Sequence, residues 1–498
     1  MTAPGREIEL KLLLPAGAAA LLSHSRLGAM PFLRQQLHTV YFDTPDFELA
    51  KRGVALRVRC AGRRWIQTLK TEADSTGGLS ARVELEVTVS GPGIEFERFP
   101  PEARNYVPEP LQKKLAPVFE TRFTRRRWQV PGIWGSQIEV ALDEGEIRAR
   151  GKTEPLRELE LELKSGRPDA LFALALELAR SAPLWPFDRS KAERGVRLAK
   201  DIAAAPVKAK MPELNQIMQP AEAWRVIATQ CLRQFAANLL DIAYEHDAEY
   251  LHQARVALRR LRSAYTLFKR GLPLPKSLLG ELKKLNASLG PARDWDVFCT
   301  QTLPPVLAAV PDTGPLQHLA GLADQARRQA HAHLAHYLQS PACGRLLLGL
   351  ARRLSAPPRH FVAELGDTRL ESFAARHLKK RHRQVMALTE NPLTSVENRH
   401  RLRISIKRLR YVLDCFASLY PRRPVSGMSK ALADLQDALG HMNDQAVALR
   451  LIQAIDDRSA GFAQAQAAVH GWLAAIGMES ERNLAGCLKN ISAVKRFW

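Results

Sequence analysis

Glu7-Ile8-Glu9-Leu10-Lys11, near the start of the chain, alternates charged with apolar residues. On a β-strand, successive side chains point to opposite faces, so the two glutamates and the lysine share one face. Two carboxylates beside an ammonium group suit a divalent metal next to an anion, because hard cations such as Mg²⁺ take oxygen ligands and commonly also bind substrate phosphate. The stretch therefore predicts a strand that carries chemistry on one face and packs with the other.

The composition indicates a globular protein of about two to four domains, with 498 residues of which 46% are hydrophobic. The formal charge of +22 is unevenly distributed. Residues 1–200 contain 32 Lys and Arg against 26 Asp and Glu, whereas residues 201–498 contain 41 against 25. We therefore expect the C-terminal part to attract polyanions, most strongly at low salt.

The six cysteines lie far apart, at positions 60, 231, 299, 343, 415 and 487, and form no C-x-x-C motif. This spacing argues against a disulfide framework and a zinc site and favours a reducing cytosol. No apolar run reaches the ~20 residues of a transmembrane helix. Residues 12–22 are apolar but follow Glu7 and Glu9, where a signal peptide would be basic, so we expect neither a membrane span nor a signal peptide.

The chain divides into two halves with different hydrophobic periods. Residues 6–165 alternate with period 2, and short strands are predicted at 54–59, 64–70, 82–89, 125–130, 137–142 and 157–164, with helices at 169–180 and 191–205. From about residue 214 the period becomes 3.6, which indicates an all-helical part. Pro206, Lys208, Lys210 and Pro212 mark a linker between them. The predicted domains are therefore 1–205, a linker at 206–214, and 215–498, with repeats at about 215–355 and 356–498.

Charged residues share a face on several of the predicted strands. They are Arg57 with Arg59, Arg82 with Glu84 and Glu86, Glu139 with Asp143, and Glu158 with Glu160 and Glu162. An ordinary sheet with one wet face explains any single strand. However, these faces are almost wholly charged and the signs are segregated, which is unfavourable unless a ligand of opposite sign compensates. A sheet closed with these faces inward would hold a metal together with a polyphosphate.

These motifs, in this order, resemble the CYTH superfamily, the triphosphate tunnel metalloenzymes, over about residues 1–200. The matching stretches are Glu7-x-Glu9-x-Lys11, Leu56-Arg57-Val58-Arg59, Thr68-Leu69-Lys70, Arg82-x-Glu84-x-Glu86, the arginines at 125–127, Asp143, Glu158-x-Glu160-x-Glu162 and Ser190-Lys191. The resemblance implies an antiparallel eight-stranded β-tunnel that hydrolyses or cyclises triphosphates with Mg²⁺ or Mn²⁺.

Site residues are carried over from the resemblance. It implies catalytic roles for Glu7, Glu9, Lys11 and Glu160. The implied metal ligands are Glu7, Glu9, Asp143, Glu158, Glu160 and Glu162, of which the last three are alternatives to one another. The implied substrate-binding residues are Lys11, Arg57, Arg59, Lys70, Arg82, Arg126 and Lys191. Arg126 stands for one of the arginines at 125–127, since neighbours face opposite ways and Arg126 pointing inward would exclude the other two.

A basic helix occurs twice in the second half. His252, Arg255, Arg259 and Arg262 align with His400, Arg403, Lys407 and Arg410 at a shift of 148 residues. At 100° per residue these positions form a stripe about 80° wide. Few acidic residues interleave with the stripe to neutralise it, so a binding role is favoured over a merely solvated face. A second block around Asp294 recurs around Asp444, and we interpret both aspartates as caps or ion-pair partners.

The repeated helix resembles the CHAD domain, the conserved histidine α-helical domain, over about residues 215–498. The resemblance implies two pseudo-repeated four-helix bundles and a central groove for inorganic polyphosphate. The residues that match its signature are His252, Arg255, Arg259, Arg260, Arg262, His400, Arg403, Lys407, Arg408 and Arg410. Of these ten residues, Arg260 and Arg408 lie off the main stripe.

The sequence therefore predicts a cytoplasmic enzyme, associated with polyphosphate granules, that hydrolyses inorganic triphosphate with Mg²⁺ or Mn²⁺ and binds polyphosphate. The alternatives are an adenylyl cyclase, a thiamine or nucleoside triphosphatase on the same tunnel, and a non-catalytic granule protein. The sequence contains no P-loop and no dinucleotide fingerprint. A nucleic-acid partner is disfavoured because aromatic residues for base stacking do not interleave with the basic stripe.

Overall fold

The computed structural model describes residues 6–71, 75, 77–244, 247–269, 274–310, 314–355, 369–390, 393 and 395–498. The chain forms two compact units. The tunnel unit consists of Met1–Pro206 and Leu338–Ala356, and the helical unit of Val207–Tyr337 and Pro357–Trp498. The tunnel unit thus includes a segment that lies within the range predicted for the helical domain.

The tunnel unit is built on an antiparallel barrel. Its strands are β1 (Arg6–Leu13), β2 (Leu33–Asp43), β3 (Val54–Ala61), β4 (Arg64–Thr71), β5 (Leu79–Val89), β6 (Ala116–Pro131), β7 (Gln137–Ala149) and β8 (Lys152–Ser165). They pair in the order β5-β4-β3-β2-β6-β7-β8-β1, and β1 also pairs with β5, which closes the barrel. A two-residue strand, β9 (Trp185–Pro186), adds to β1. The predicted eight-stranded antiparallel tunnel is confirmed.

The pairing register explains which residues face the interior. Glu9 lies opposite Glu162 and Lys11 opposite Glu160, so the charged residues of β1 and β8 share the inner face. Leu10 and Leu12 point outward and are fully buried. Because side chains alternate, the pairing register decides which face of the sheet every residue of both strands occupies. The strands β6, β7 and β8 are longer than predicted, since their ends pair beyond the stretches where alternation is visible in the sequence, and β2 was not among the predicted strands.

Short helices and one long helix cover the barrel of the tunnel unit. They are α1 (Ala18–Leu21), α2 (Glu48–Lys51), α3 (Ala103–Tyr106), α4 (Glu109–Gln112), α5 (Asp169–Leu178), α6 (Lys191–Ala199) and α12 (Pro341–Ser355). Two of these, α5 and α6, begin where the sequence predicts helices and end earlier. Past the end of α6, the chain turns at Asp201, whose φ of 55° is incompatible with a continuing right-handed helix.

The helical unit contains nine described α-helices and a π-helical turn at Phe298–Thr302. The α-helices are α7 (Pro220–Tyr244), α8 (Ala248–Phe268), α9 (Lys276–Val297), α10 (Leu303–Ala309), α11 (Gly314–Leu338), α13 (Leu370–Thr389), α14 (Val396–Phe416), α15 (Arg422–Gln453) and α16 (Ala460–Ala493). The predicted all-α fold is confirmed. Within the described part of the chain, no helix combines the length and apolar character needed to cross a bilayer.

An aromatic cluster joins the two sequence repeats in the helical unit. Phe268 of α8 stacks on Phe373 of α13 with ring centroids 5.1 Å apart and meets the edge of Phe416 of α14. Trp224 of α7 also packs against Phe268. Helices of the first repeat therefore share a core with helices of the second, which brings α8 and α14, the two basic helices, close together.

We predict that Phe268→Ala destabilises the helical unit by about 3–5 kcal/mol, because it removes a fully buried ring and leaves a cavity between the repeats. Ile217→Ala is the control, since Ile217 is 80% exposed and its truncation should change stability by less than about 0.5 kcal/mol. Chemical denaturation followed by far-UV circular dichroism measures both. Equal midpoints for the two variants would contradict a core shared by the repeats.

Candidate functional site

Charged side chains from all eight strands of the barrel, from α2 and from α6 line a cavity of about 900 Å³ in the tunnel unit. The predicted residues on its wall are Glu7, Glu9, Lys11, Arg57, Arg59, Lys70, Arg82, Glu160, Glu162 and Lys191. Asp143 and Glu158 are fully buried and ion-paired to Lys191. The barrel thus brings together charges that are spread over some 190 residues of sequence.

The carboxylates of β1 are held by basic residues of the neighbouring strands. The Arg82 Nε donates to Glu7 at 2.8 Å and its Nη2 to Glu9 at 2.6 Å. The Lys70 ammonium lies 2.9 Å from Glu7 and 3.0 Å from Glu84. Burial by itself would raise the pKa of Glu7, but the charges of Lys70 and Arg82 lower it well below its usual range. Glu7 is therefore a carboxylate at neutral pH.

A second network surrounds Lys191, the first residue of α6. Its ammonium lies 2.9 Å from Asp143, 2.8 Å from Glu158 and 2.7 Å from Glu160. Arg125 bridges two of these acids, with its Nε 2.7 Å from Asp143 and its Nη2 2.8 Å from Glu160. Burial would raise the pKa of Glu160, but Lys191 and Arg125 hold it well below its usual range. This end of the wall is also fully ionised.

Local features of α6 aim Lys191 into the barrel. The Ser190 hydroxyl caps the helix by accepting the Glu193 amide at 3.0 Å. At Gly195, a Cβ atom would lie 2.0 Å from the ring of Phe119, so only glycine allows the helix to lie this close to β6. One turn after Lys191, Arg194 donates to Glu158 at 2.6 Å. These contacts fix the helix that carries the buried lysine.

Arg57, Arg59 and Tyr41 form a part of the wall that is rich in positive charge. The Arg59 Nε donates to Thr39 at 3.1 Å, and within the described residues no ion pair joins Arg59 to a carboxylate. Burial and the neighbouring Arg57 and Arg125 lower the pKa of Arg59 to about 9. Burial would raise the pKa of the Tyr41 phenol, but Arg57 and Arg59 lower it. An anion placed here would relieve the crowding of like charges.

The structure corrects one predicted substrate-binding residue. Arg126 lies on the outer face of β6, is about one-third exposed and pairs with Glu144 at 2.6 Å. Arg125 and Arg127 instead line the cavity. The reason is the register between β6 and β7, which sets Arg125 opposite the inward-facing Asp143 and so turns Arg126 outward. The sequence shows only that these arginines alternate.

The residues present fit a hard divalent cation by their donor chemistry. Glu7, Glu139 and Glu162 lie near enough that the two other carboxylates, together with burial, raise the pKa of Glu162. Such crowded carboxylates are oxygen ligands of the kind that Mg²⁺ and Mn²⁺ take. In the described part of the chain, no three acidic, histidine or cysteine side chains converge as a ready cage. The acidic groups contact lysines and arginines instead.

The helical unit has a basic groove with a cavity of about 260 Å³. The predicted residues on its wall are His252, Arg255 and Arg259 of α8 with Arg403 and Lys407 of α14. Arg293 and Asp294 of α9 complete the polar lining. The pKa of His252 is lowered by burial and by the charge of Arg293. These five residues of the two basic stripes therefore line one cavity.

Other predicted groove residues lie elsewhere. Arg260 is buried, and its guanidinium donates to the carbonyl of Lys210 at 3.0 Å. Its assignment as a ligand-binding residue is therefore wrong, because its angle on α8 turns it towards the core. The described lining of the cavity does not include four further predicted residues, namely Arg262, His400, Arg408 and Arg410. Asp294 lies 3.3 Å from Arg450, an ion pair, whereas the side chain of Asp444 lies outside the described residues.

Three residues of these sites were missed at the sequence level. Tyr41 shares a face with Thr39 by simple alternation, and this signal was available. Arg194 lies one helical turn from Lys191 and so had the same signal. Arg293 precedes Asp294 in the second repeated block, but nothing in its spacing links it to the basic stripe of α8.

Comparisons with known proteins match both units. Residues 5–196 match the family model of the CYTH domain, and residues 226–453 match that of the CHAD domain. The crystal structure of the CHAD domain from the plant Ricinus communis is 30% identical, with a TM-score of 0.54, and covers 59% of this chain and 99% of that chain. This likeness extends to the fold of the helical unit.

Two sequence relatives differ in how much they share. An inorganic triphosphatase of Haemophilus influenzae is 35% identical over 200 residues, which are 39% of this chain and 55% of that protein. The chain therefore spans about half the length of this relative. An uncharacterised protein of Mycobacterium tuberculosis is 27% identical over 441 residues, 83% of each chain. The tunnel unit is thus related to an inorganic triphosphatase.

We predict that Arg125→Met destabilises the tunnel unit by about 3 kcal/mol, because the buried Asp143 and Glu160 lose one of their two basic partners and must then share Lys191. The matched control is Arg126→Met on the next residue, whose exposed ion pair with Glu144 contributes at most about 1 kcal/mol. Thermal and chemical unfolding of both variants measure the difference. A larger loss from Arg126→Met would reverse the assignment of the inner face.

Proposed function

Because the chain belongs to the proteins that join a CYTH domain to a CHAD domain, we propose that its tunnel unit hydrolyses inorganic triphosphate and its helical unit binds inorganic polyphosphate. The division proposed for these two activities follows the two compact units, so that Leu338–Ala356 goes with the tunnel rather than with the predicted range 215–498. The observation that carries the first proposal is a charged cavity of about 900 Å³ within the closed barrel, where acids and bases both face inward.

The cations of the wall suit the oxygens of a triphosphate. Phosphoryl transfer needs positioning and neutralisation of charge more than covalent help from the protein. Arg57, with the half-buried Arg59 and Lys70, lies on one side of the cavity, and the buried Lys191 with the half-buried Arg125 lies on another. Guanidinium and ammonium groups held in a site without bulk water stabilise developing negative charge strongly. Arg59 is the best-placed anchor because its charge is not shared with a carboxylate among the described residues.

The acidic residues give the tunnel its second chemical role. Glu7 and Glu9, with Glu160 or Glu162, would hold Mg²⁺ or Mn²⁺, and when bound the cation would neutralise phosphate charge. In its absence the same carboxylates neutralise Lys70, Arg82 and Lys191. Cation and anion binding should therefore be coupled, because each ligand frees wall groups of opposite sign. A protein that only bound anions would not need these carboxylates.

The preferred substrate is proposed to be the bare triphosphate. Half of the residues that line the cavity are charged, which favours a bare polyanion. The aromatic residues on its wall, which a nucleobase or thiamine ring would contact, are Tyr41, Phe42, Phe119 and Phe187. Adenylyl cyclase and thiamine or nucleoside triphosphatase activities are the competing functions on the same tunnel. They are separated by offering each substrate under identical conditions.

We predict that the purified protein releases phosphate from inorganic triphosphate with Mg²⁺ or Mn²⁺ and loses this activity in a chelator. Glu7→Gln/Glu9→Gln should reduce the rate by about 100-fold or more, since two of the charges that hold the cation are removed. The matched control is Glu144→Gln/Glu146→Gln, the same chemical change on partly exposed residues of β7. A phosphate-release assay with triphosphate, ATP, thiamine triphosphate and long polyphosphate measures and ranks the substrates.

The outcomes of this assay are distinct. Release of cyclic AMP from ATP would favour the cyclase. Hydrolysis that survives Glu7→Gln/Glu9→Gln would remove the tunnel acids from the mechanism. No turnover of any substrate, with polyphosphate still bound, would leave a non-catalytic binding protein.

The groove of the helical unit supports the second proposal. Arg255 is close enough to Arg259 and Arg293 that burial and their charges lower its pKa. Unlike the tunnel wall, the described groove lining contains one acidic residue, Asp294, against five lysines and arginines and a histidine. Such an excess of cations is favourable when a polyanion binds and releases counterions. Polyphosphate also needs no aromatic stacking platform, whereas single-stranded nucleic acid does.

We predict that Arg255→Gln/Arg259→Gln weakens polyphosphate binding at least tenfold and lowers the slope of log affinity against log salt by about 1.4, for two lost phosphate contacts. Arg262→Gln/Arg408→Gln removes the same charge from exposed positions outside the cavity and should cost less than about threefold. Fluorescence anisotropy with labelled polyphosphate, competed by unlabelled DNA, measures both. Stronger competition by DNA than by polyphosphate would favour a nucleic-acid partner.

The proposed location is the cytoplasm, with association to polyphosphate granules through the groove. The six cysteines are all free thiols in the structure, which supports a reducing compartment. Partition of a fluorescent fusion with granules, lost in Arg255→Gln/Arg259→Gln, tests the location.

A further inference from the structure

Helix α12 belongs to the tunnel unit although it follows α11 in the chain. Its inner face is apolar and fully packed. The residues buried there are Cys343, Leu346, Leu347, Leu350 and Leu354. Polar contacts seal its edge, since Arg352 donates to both oxygens of Asp169 on α5 at 2.8 and 2.6 Å. Neither an exposed apolar face nor a missing partner remains for this helix.

The approach of α12 to the barrel is unusually close at one point. A Cβ atom on Gly344 would lie 2.7 Å from the carbonyl oxygen and 2.9 Å from the amide nitrogen of Leu184. Both of these are backbone atoms, which have little freedom to move away. Gly344 therefore sets the distance between α12 and the strand that begins at the next residue, Trp185.

That strand is the neighbour of the catalytic strand β1. Trp185 pairs with Leu13, and the amide of Phe187 donates to the carbonyl of Lys11 at 3.0 Å. On the same edge of β1, the Lys11 amide donates to the carbonyl of Gly78 at 2.9 Å. The Trp185 indole, which is 1% exposed, donates to the carbonyl of Leu338 at 3.1 Å, just before α12. The backbone of Lys11 is thus held from the side on which α12 packs.

We propose that α12 is a positioning element of the candidate active site, which holds Lys11 and the carboxylates of β1 in place through Trp185 and β9. The physical reason is that a site of this kind tolerates little displacement, because a misplacement of about 1 Å can cost 100-fold in rate. The hydrolytic unit is then not contained in residues 1–205 and depends on residues 338–355, which the chain reaches only after most of the first helical repeat.

The test uses the full chain and one matched pair of substitutions. Gly344→Ala forces a shift between α12 and Leu184. Gly321→Ala makes the same change at an exposed position of α11, where no neighbouring atom lies within 4 Å of the added carbon. Hydrogen exchange of peptides from β1 and β9 is followed by mass spectrometry. We expect exchange about tenfold faster in Gly344→Ala than in the unmodified protein, and no change in Gly321→Ala.

Enzyme kinetics supply the second readout, which rests on the proposed triphosphatase activity. Gly344→Ala should lower kcat/KM for triphosphate about tenfold at a temperature where it remains folded, while polyphosphate binding by the helical unit is unchanged. Gly321→Ala should match the unmodified protein in both. If the unmodified protein hydrolyses no triphosphate, the proposed function fails, and the exchange measurement still decides the role of α12.

Trp185→Phe is the second variant, in case Gly344→Ala does not fold. It keeps an aromatic side chain at position 185 but removes the indole N–H that donates to the carbonyl of Leu338. Faster exchange in α12 alone, with β1 protected as before and kcat/KM intact, would reduce α12 to a packing element and overturn the proposal. Unchanged hydrogen exchange in both variants would also overturn the proposal.

Discussion

The ammonium of Lys191 lies 2.9 Å from the carboxylate of Asp143, and neither group has appreciable contact with solvent. Removing charges from water is costly unless each finds a partner of opposite sign. The interior of the tunnel unit is organised by this constraint. The acids of the wall pair with bases, and burial, which would neutralise Glu160 by raising its pKa, is outweighed by Lys191 and Arg125. The wall remains ionised and ready to exchange partners with ligands.

The groove of the helical unit meets the same constraint in another way. Its cations crowd one another, so that burial and Arg259 lower the pKa of Arg255. Here the compensating charge is not built into the wall, apart from Asp294. The tunnel therefore suits a cation together with an anion, whereas the groove suits an anion alone.

The segment that precedes α7 packs against the helical unit to which it belongs. Residues 207–214, predicted as a linker, contact helices of the helical unit. Asn238 exchanges hydrogen bonds with Val207, and Ser418 does the same with Leu214. Arg260, which was predicted to bind polyphosphate, has a structural role, because its guanidinium donates to the carbonyl of Lys210 in the same segment. The segment Leu338–Ala356 then returns the chain to the tunnel unit.

What the sequence alone determined is the local geometry. Alternation on β1 assigns Glu7, Glu9 and Lys11 to one face because the period of a strand is 2, and the repeat of basic residues at helical spacing assigns stripes to α8 and α14. Charge segregation among these faces indicated ligands of opposite sign, whereas the closed eight-stranded tunnel was implied by the resemblance to the CYTH superfamily. The shared faces and the stripes depend only on neighbours in the chain, which is why they could be predicted.

Only the tertiary structure decided which partner each face meets. Arg125 rather than Arg126 faces inward because β6 pairs with β7 in a register that its own alternation does not specify. Arg260 is buried because other helices cover its side of α8, and α12 joins the tunnel unit because its apolar face fits β9 and α5. Register and docking are set by contacts between residues distant in sequence, and a hydrophobic period carries no information about which distant surface will cover it.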